Sequence, residues 1–239
     1  QIASHWGGTR NGMAVRWPKG FKSKGQLRNQ WHHVIDIAPT ILEAAGLPQP
    51  VQVHGVTQKP IEGVSMNYTF DDAKAPDRRV TQYFEMFGNR GIYHQGWSAV
   101  VRHSIPYNLG AKAEWADDVW ELDDGNTDWS QAVNLAEKYP EKLDELKQLF
   151  IAEAAKYNVF PLDDRRSELF NPDIAGRPDL LGGRTKMTFY PGMRNLQEDT
   201  VPNVKNKSHT VTAEIEAPDA GKANGVIIAQ GGRFGGWSL

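Results

Sequence analysis

The stretch from Pro140 to Tyr157 constrains the fold most, because it is the clearest helix in the sequence. Pro140 stands at the first helical position, where its missing N–H group costs no hydrogen bond. Apolar residues recur at intervals of three and four, which places them on one face of a helix: Leu143, Leu146, Leu149, Phe150, Ala154 and Tyr157. The sequence therefore predicts a long amphipathic helix.

The residues ahead of this helix predict an antiparallel sheet. Residues 81–103, TQYFEMFGNRGIYHQGWSAVVRH, are typical of two or three short strands with a turn at Gly88 and Asn89. Residues 119–124, VWELDD, continue that sheet. We therefore expect a small antiparallel sheet followed by one long helix in the middle of the chain.

A strand is also predicted close to the start of the sequence. Residues 13–17 alternate between apolar and other side chains, and Pro18 ends the pattern. Gly7 and Gly8 precede this strand and suit a sharp bend through positive φ angles, or a close approach to a ligand.

Residues 32–48, HHVIDIAPTILEAAGLP, predict a second helix. Asp36 is the expected N-cap, Gly46 the expected C-terminal cap, and Pro48 prevents continuation. The apolar positions recur at helical spacing: Val34, Ile37, Ala38, Ile41, Leu42 and Ala45.

The C-terminal third carries weaker signals. Residues 159–207 are irregular and predict a connector. Residues 209–217 alternate like a strand, residues 218–225 supply a turn, and residues 225–232 predict a short buried strand. Because neither end of the sequence has a cap or a charged tail, we expect a fragment of a longer protein.

Composition excludes several classes of protein. The 239 residues carry 27 Lys and Arg against 29 Asp and Glu, a net charge of −2 that favours neither nucleic acid nor an anionic membrane as a partner. With no cysteine, disulfides and thiolate sites are absent from this sequence. No apolar run approaches the ~20 residues of a membrane span, so we expect a soluble protein.

Charge is distributed unevenly along the sequence, and we interpret two charged stretches as solvated surface. The first is basic: Arg16, Lys19, Lys22, Lys24 and Arg28. The second is acidic: Asp117, Asp118, Glu121, Asp123, Asp124 and Asp128.

Three motifs in order resemble the sulfatase family. Residues 7–18, GGTRNGMAVRWP, and residues 32–48 are similar to the pattern that closes the catalytic domain of sulfatases. Residues 121–150 resemble the subdomain that follows, and residues 83–97 with the region to Leu239 are similar to the larger bacterial arylsulfatases. The resemblance implies an α/β fold: the C-terminal part of an alkaline-phosphatase-like mixed sheet with helices, then a small antiparallel sheet plus long helix, then a β extension.

The same resemblance implies the domain boundaries and the chemistry. Residues 1–66 would end the catalytic domain, residues 67–160 would form the sheet and helix subdomain, and residues 161–239 would begin a connector and an additional β region. Sulfatases cleave sulfate esters with a formylglycine nucleophile from a Cys/Ser-x-Pro-x-Arg signature, a sulfate-binding lysine and a divalent metal. None of these groups is recognised here, so the calcium or magnesium ligands and the nucleophile are expected upstream, and the fragment alone is expected to be inactive.

Five residues are candidates for the rim of the substrate pocket: His5, Arg10, His33, His94 and His103. Each also has a structural interpretation, since a histidine beside a tryptophan is often packed and an arginine often pairs with a carboxylate. His33 and its neighbour His32 precede a helix cap, where a ring also bonds backbone groups.

Alternative functions remain open from the sequence. A phosphonate monoester hydrolase or phosphodiesterase of the same superfamily shares the architecture. A noncatalytic β-rich module would bind carbohydrate through Trp115, Trp120 or Trp129. The expected partner is a small-molecule sulfate ester, with no nucleic acid and no membrane, while oligomeric state and compartment, periplasm or cytoplasm, stay undecided.

Overall fold

The computed structural model describes residues 2–104, 113–165, 167–170, 172–176, 181–196, 200–204, 207–216, 224–232 and 235–239. The chain forms two compact units, Gln1–Ser167 and Glu168–Leu239. The helices are α1 (Trp6–Thr9), α2 (Ile37–Ala44), α3 (Pro140–Lys156) and α4 (Pro172–Ala175), with 3₁₀ turns at Val34–Asp36, Asn67–Thr69, Trp115–Asp117 and Ser167–Phe170. The strands are β1 (Gln52–Val53), β2 (Val56–Thr57), β3 (Thr81–Met86), β4 (Asn89–His94), β5 (Trp97–Val101), β6 (Trp120–Asp124), β7 (Ala229–Gly232) and β8 (Gly235–Ser238).

The first unit is organised by the antiparallel sheet β3-β4-β5-β6, which confirms the predicted sheet. The β3–β4 turn lies at Phe87 and Gly88, with φ angles of 52° and 83°. This is one residue earlier than predicted, because Asn89 already pairs with Met86. A two-residue hairpin turn with both φ angles positive matches the right-handed twist of the strands.

The predicted long helix is confirmed as α3, with Pro140 at its first position. Its apolar face packs on one face of the sheet and forms the core: Ile92, Ala99, Leu122, Leu146, Phe150 and Ala154. Since side chains alternate along each strand, Ile92 and Leu122 fix which face of β4 and β6 points to α3. We call this the helix face of the sheet.

The opposite face of the sheet, which we call the second face, is contacted by residues 4–6 and 31–33. Trp31 stacks on Tyr93 with ring centroids 4.3 Å apart. Ser4 lies against Gly91, where an added Cβ would stand 3.0 Å from the Ser4 Cβ. Gly91 therefore permits a close approach between the N-terminal segment and strand β4.

The predicted second helix is confirmed, with a 3₁₀ turn at Val34–Asp36 leading into α2. Gly46 has a φ of 68°, its N–H bonds the Glu43 carbonyl, and the Leu47 N–H bonds the Leu42 carbonyl. This is the Schellman arrangement expected of a C-terminal glycine.

The prediction of a strand at residues 13–17 is wrong. Met13 and Val15 are 54% and 45% exposed, and no described strand pairs with them. A five-residue alternation without a neighbouring strand has no ladder of hydrogen bonds to stabilise it. The prediction of positive φ at Gly7 and Gly8 is also wrong, because both belong to the helical turn α1.

In the second unit, the described residues of the predicted connector are irregular apart from two short helical turns, which confirms that prediction. A strand was predicted over residues 209–217, but the described residues 209–216 form none, so that prediction is wrong. Of the turn predicted over residues 218–225, all but the last two residues lie outside the described ranges. The last predicted strand begins only at Ala229, and Val226 and Ile227 ahead of it are exposed. Its described sheet has two strands, too few to bury an apolar run.

Taken together, the described elements form an α/β fold with a small antiparallel sheet and one long helix, as expected. Over the ranges that the structure describes, no helix combines the length and the apolar character needed to cross a lipid bilayer.

Candidate functional site

His5 and Arg10 lie close to each other on the second face of the sheet, at the edge formed by strand β6. The His5 Nε2 atom is 3.3 Å from a carboxylate oxygen of Glu121. Arg10 lies over the ring of Trp6, 4.7 Å from its centroid, and donates a 3.1 Å hydrogen bond to the Trp129 carbonyl. Arg10 thus contacts a backbone carbonyl and a tryptophan ring, not the carboxylate of its structural interpretation, while His5 pairs with a carboxylate.

A buried carboxylate stands beside them. The backbone N–H of Trp6 donates to Gln131 Oε1 at 2.6 Å, and Gln131 Nε2 donates to Asp123 Oδ2 at 3.0 Å. Burial raises the pKa of Asp123 to about 6, and the nearby Glu121 carboxylate adds to the rise. These two hydrogen bonds of the Gln131 side chain connect the N-terminal segment to strand β6 of the sheet.

A buried ion pair joins the residue before α2 to the segment that leads into strand β3. Arg79 donates to both carboxylate oxygens of Asp36, at 2.5 to 2.9 Å, and also to the Glu62 carbonyl and Gln82 Oε1. Asp36 further accepts the backbone N–H groups of His33 and Val64. We call Asp36, Arg79 and these partners the Asp36 centre.

The charge of Asp36 is strongly favoured. Burial raises the pKa of Asp36, but the His32 ring, the Arg79 guanidinium and the backbone N–H groups of His33 and Val64 outweigh that effect, so its pKa is lowered overall. Although no part of Asp36 is exposed, its carboxylate is saturated with donors. This arrangement leaves no oxygen free to bind a metal or a substrate.

His33 lies on the second face, between the Asp36 centre and strand β3. Its ring is parallel to Trp31 with centroids 6.5 Å apart, and it meets Phe84 edge-on at 5.8 Å. Burial and the charge of Arg79 lower the pKa of His33, so the ring is neutral at pH 7. Its Nδ1 atom and both ring nitrogens of His32 are buried without a hydrogen bond in the described structure.

His103 lies in a separate cluster beyond the end of β5. Its side chain is fully buried, with Nδ1 2.7 Å from Asp118 and Nε2 3.5 Å from Asp164. The ring stacks on Trp115 at 3.8 Å, and Arg90 pairs with the second oxygen of Asp118 at 2.6 Å. Among the described residues, the His103 ring is thus enclosed by Trp115, Asp118 and Asp164.

His94 belongs to the helix face rather than to the second face. It pairs with Thr81 in the β3–β4 ladder, and its Nδ1 atom is 2.7 Å from the Thr81 hydroxyl. The structure thus brings His5 and Arg10 together and places His33, His94 and His103 in three other locations. Their roles at a substrate pocket stay predictions.

The described residues offer no metal site, and the resemblance places the calcium or magnesium ligands upstream of this sequence. Over the ranges that the structure describes, no three His, Asp or Glu side chains lie close enough together to hold an ion. The best-placed carboxylate, Asp36, is already occupied by Arg79.

Of the three tryptophans proposed for a carbohydrate module, two are packed. Trp120 meets Phe150 of the core edge-on, and Trp115 covers His103. The Trp129 side chain is 74% exposed. Trp129 is thus the most accessible of the three, and Trp115 is 40% exposed.

The sequence analysis overlooked Arg79, and its interpretation of Asp118 and Asp123 as solvated surface is wrong, because both side chains are buried. A signal for Asp123 is present in VWELDD, where Asp123 alternates with the core residue Leu122 and so falls on the other face. That face was not expected to be covered. No local signal marks Arg79 or Asp118, because their charged partners Asp36, Arg90 and His103 lie more than ten residues away along the chain.

Comparison with known proteins agrees with this arrangement. The family model of the N-sulphoglucosamine sulphohydrolase C-terminal region matches residues 6–155. The chain is 25% identical over 172 residues to an N-acetylglucosamine-6-O-sulfatase of Bacteroides thetaiotaomicron, covering 67% of this chain and 28% of that protein. It is 30% identical over 161 residues to an uncharacterized sulfatase of Schizosaccharomyces pombe, covering 66% of this chain and 27% of that protein.

A solved structure of a complex with the substrate D-glucosamine-2-N,6-O-disulfate resembles 63% of this chain and 29% of its own, with a TM-score of 0.45 and 21% identity. The chain therefore spans less than a third of the length of these relatives. Because the family model covers more than half of the sequence, including the N-terminal segment, the Asp36 centre, the sheet and nearly all of α3, this chain belongs to the sulfatase family of N-sulphoglucosamine sulphohydrolase C-terminal regions.

Proposed function

We propose that this chain is the C-terminal part of a sulfuric ester hydrolase, and that the protein containing it removes sulfate from small sulfated molecules. The observation that carries the proposal is the family match over residues 6–155. The name of the Bacteroides relative favours an O-sulfated amino sugar as the natural ester over the aryl sulfate that the sequence resemblance suggests.

In this proposal the reacting groups lie outside the sequence described here. A formylglycine would supply the nucleophile and a divalent metal, calcium or magnesium, would offset the charge on the sulfate oxygens. The relatives are more than three times as long as the region they share with this chain, which leaves room for such residues.

The contribution of this chain is to fix the geometry of the pocket wall. The Asp36 centre clamps the start of α2 to the strand β3 through Arg79 and Gln82. Gln131 and Trp129 hold the segment that carries His5 and Arg10. A wall held by buried hydrogen bonds keeps substrate-contacting groups in register, which is worth large factors in rate.

The test uses the full-length protein that contains this sequence. We expect it to release sulfate from N-acetylglucosamine 6-O-sulfate and to prefer sulfate esters over aryl phosphonate monoesters. The control replaces the Cys or Ser of the upstream signature by alanine, which we expect to abolish turnover. A preference for the phosphonate would assign the protein to the other branch of the superfamily and contradict the proposal.

A further inference from the structure

The first 35 residues of the sequence have an unusual charge. They contain six Arg and Lys and no Asp or Glu, although the whole chain has a net charge of −2: Arg10, Arg16, Lys19, Lys22, Lys24 and Arg28. Four of the six fall within residues 16–24, which we call the cationic loop. Segregation of one sign of charge on a short segment creates a local positive potential.

The charged side chains of the cationic loop are exposed to solvent. Arg16, Lys19, Lys22 and Lys24 are all exposed. None of them forms an ion pair with a described residue. One carboxylate contacts the loop, but it accepts a backbone hydrogen bond: Asp71 Oδ1 accepts the backbone N–H of Lys22 at 3.1 Å.

The loop is also built to hold one shape. The Trp17 ring covers Gly20 so closely that an added Cβ would lie about 2 Å from it, and the Gly20 N–H bonds the Trp17 carbonyl at 3.0 Å. Trp17 and Phe21 both pack on Phe70, with ring centroids 6.3 and 5.1 Å away.

Hydrogen bonds complete the anchorage. The Ser23 hydroxyl donates to the Phe70 carbonyl at 2.9 Å, and Arg28 donates to the carbonyls of Thr69 and Phe70. Arg28 is thus used inside the structure, while the four loop cations are not. A fixed loop with free cations loses little entropy when it binds a polyanion.

We propose that the cationic loop is a binding site for sulfated polysaccharide chains, separate from the residues that hold the pocket wall. The choice of ligand rests on the proposed function, which places a sulfated saccharide on this protein. Single-stranded nucleic acid is disfavoured, because its sites offer exposed rings for base stacking and both rings of this loop are turned onto Phe70.

The experiment measures binding without turnover. The probe is a fully sulfated heparin octasaccharide, compared with the same octasaccharide after complete desulfation, and the protein is the full-length protein that contains this sequence. We expect the sulfated probe to bind with an affinity that falls steeply with salt, and the desulfated probe to bind far more weakly.

Replacing Arg16, Lys19, Lys22 and Lys24 together by glutamine should lower the affinity for the sulfated probe about 100-fold. Each cation near an anionic surface contributes about 1 kcal/mol or less to the binding free energy. The matched control removes four other lysines, Lys59, Lys138, Lys147 and Lys156, and should change the affinity less than about threefold. The four single variants, each with an unchanged circular dichroism spectrum, should have effects that add.

Three outcomes would overturn the inference. They are equal weakening in the loop and control variants, loop-dependent binding of a single-stranded oligonucleotide at least as tight as that of heparin, and equally tight loop-dependent binding of vesicles containing 30% phosphatidylserine. The proposed function is tested separately: a protein that binds heparin through the loop but hydrolyses no sulfate ester contradicts that function alone. A protein that hydrolyses sulfate esters while its loop variant binds normally contradicts this inference alone.

Discussion

On its helix face, the four-stranded sheet presents Ile92, Ala99 and Leu122 to α3, and the contacts are apolar throughout. On its second face, the same sheet contacts residues 4–6 and 31–36 through rings, buried carboxylates and Arg79. Apolar packing is non-directional and tolerates many sequences, whereas a buried charge needs a specific partner. The second face is therefore the one whose geometry depends on single residues.

The largest expected effect falls on the Asp36 centre. Arg79→Met removes the guanidinium and leaves the Asp36 carboxylate buried with only its backbone partners and the His32 ring. We expect the free energy of unfolding to fall by about 3–5 kcal/mol, because an uncompensated buried charge is strongly destabilising. Urea unfolding followed by near-UV circular dichroism measures this. A loss below about 1 kcal/mol would mean that the two faces do not differ in the way described.

A matched substitution on the helix face should lower the free energy of unfolding by a similar or smaller amount. Leu146 is fully buried between α3 and the sheet, so Leu146→Ala creates a cavity and should lower the free energy of unfolding by about 2–5 kcal/mol. Leu146→Met, which keeps the volume, should cost less than about 1.5 kcal/mol. If the methionine variant is as unstable as the alanine variant, apolar volume is not what this face requires.

The sequence predicted the two faces unequally, for a physical reason. The helix face follows from periodicity, because Leu143, Leu146 and Phe150 repeat at helical spacing and the strands alternate. The second face depends on pairs such as Asp36 with Arg79, 43 residues apart, which no local pattern encodes. Asp36 was recognised only as a helix cap.

The same limit explains the errors at the candidate site. His103 and Asp118 meet because the ends of β5 and β6 are adjacent, a consequence of sheet register and not of spacing. Residues 13–17 have the alternation of a strand but no partner strand among the described residues. Local propensity predicts an element only where tertiary contacts support it.

The third prediction concerns pH and the buried Asp123. Its pKa in the folded state, about 6, lies above the ordinary value of 3.8, so the folded protein binds more protons between these values than the unfolded chain does. Stability should therefore fall as pH rises from 4 to 7, by about 2–3 kcal/mol from this group.

Asp123→Asn should remove that part of the pH dependence and be more stable than the native protein at pH 7. Asp128 provides the control with the opposite sign, since hydrogen bonds from the Ser130 hydroxyl and from backbone N–H groups lower its pKa to about 2. Asp128→Asn should destabilise the protein at pH 7 and have less effect near pH 2. Unfolding curves at pH 4, 5.5 and 7 distinguish the two, and an unchanged pH dependence in Asp123→Asn would contradict the assignment.

The smallest effect is expected at the rim of the second face. His5 and Glu121 are partly exposed, with side chains 26% and 40% accessible. His5→Gln should change the free energy of unfolding by less than about 1 kcal/mol, because solvent and salt screen such a pair. A larger loss in thermal unfolding would show that His5 is a buried anchor comparable to Arg79.

The central claim is that the Asp36–Arg79 pair locks the start of α2 onto the sheet, and a double-mutant cycle with Asp36→Asn and Arg79→Met measures it most directly. We expect each single variant to be unstable and the double variant to be less destabilised than their sum by at least about 2 kcal/mol, since residues in one buried network are strongly coupled. Additive effects, with a coupling free energy near zero, would contradict the claim.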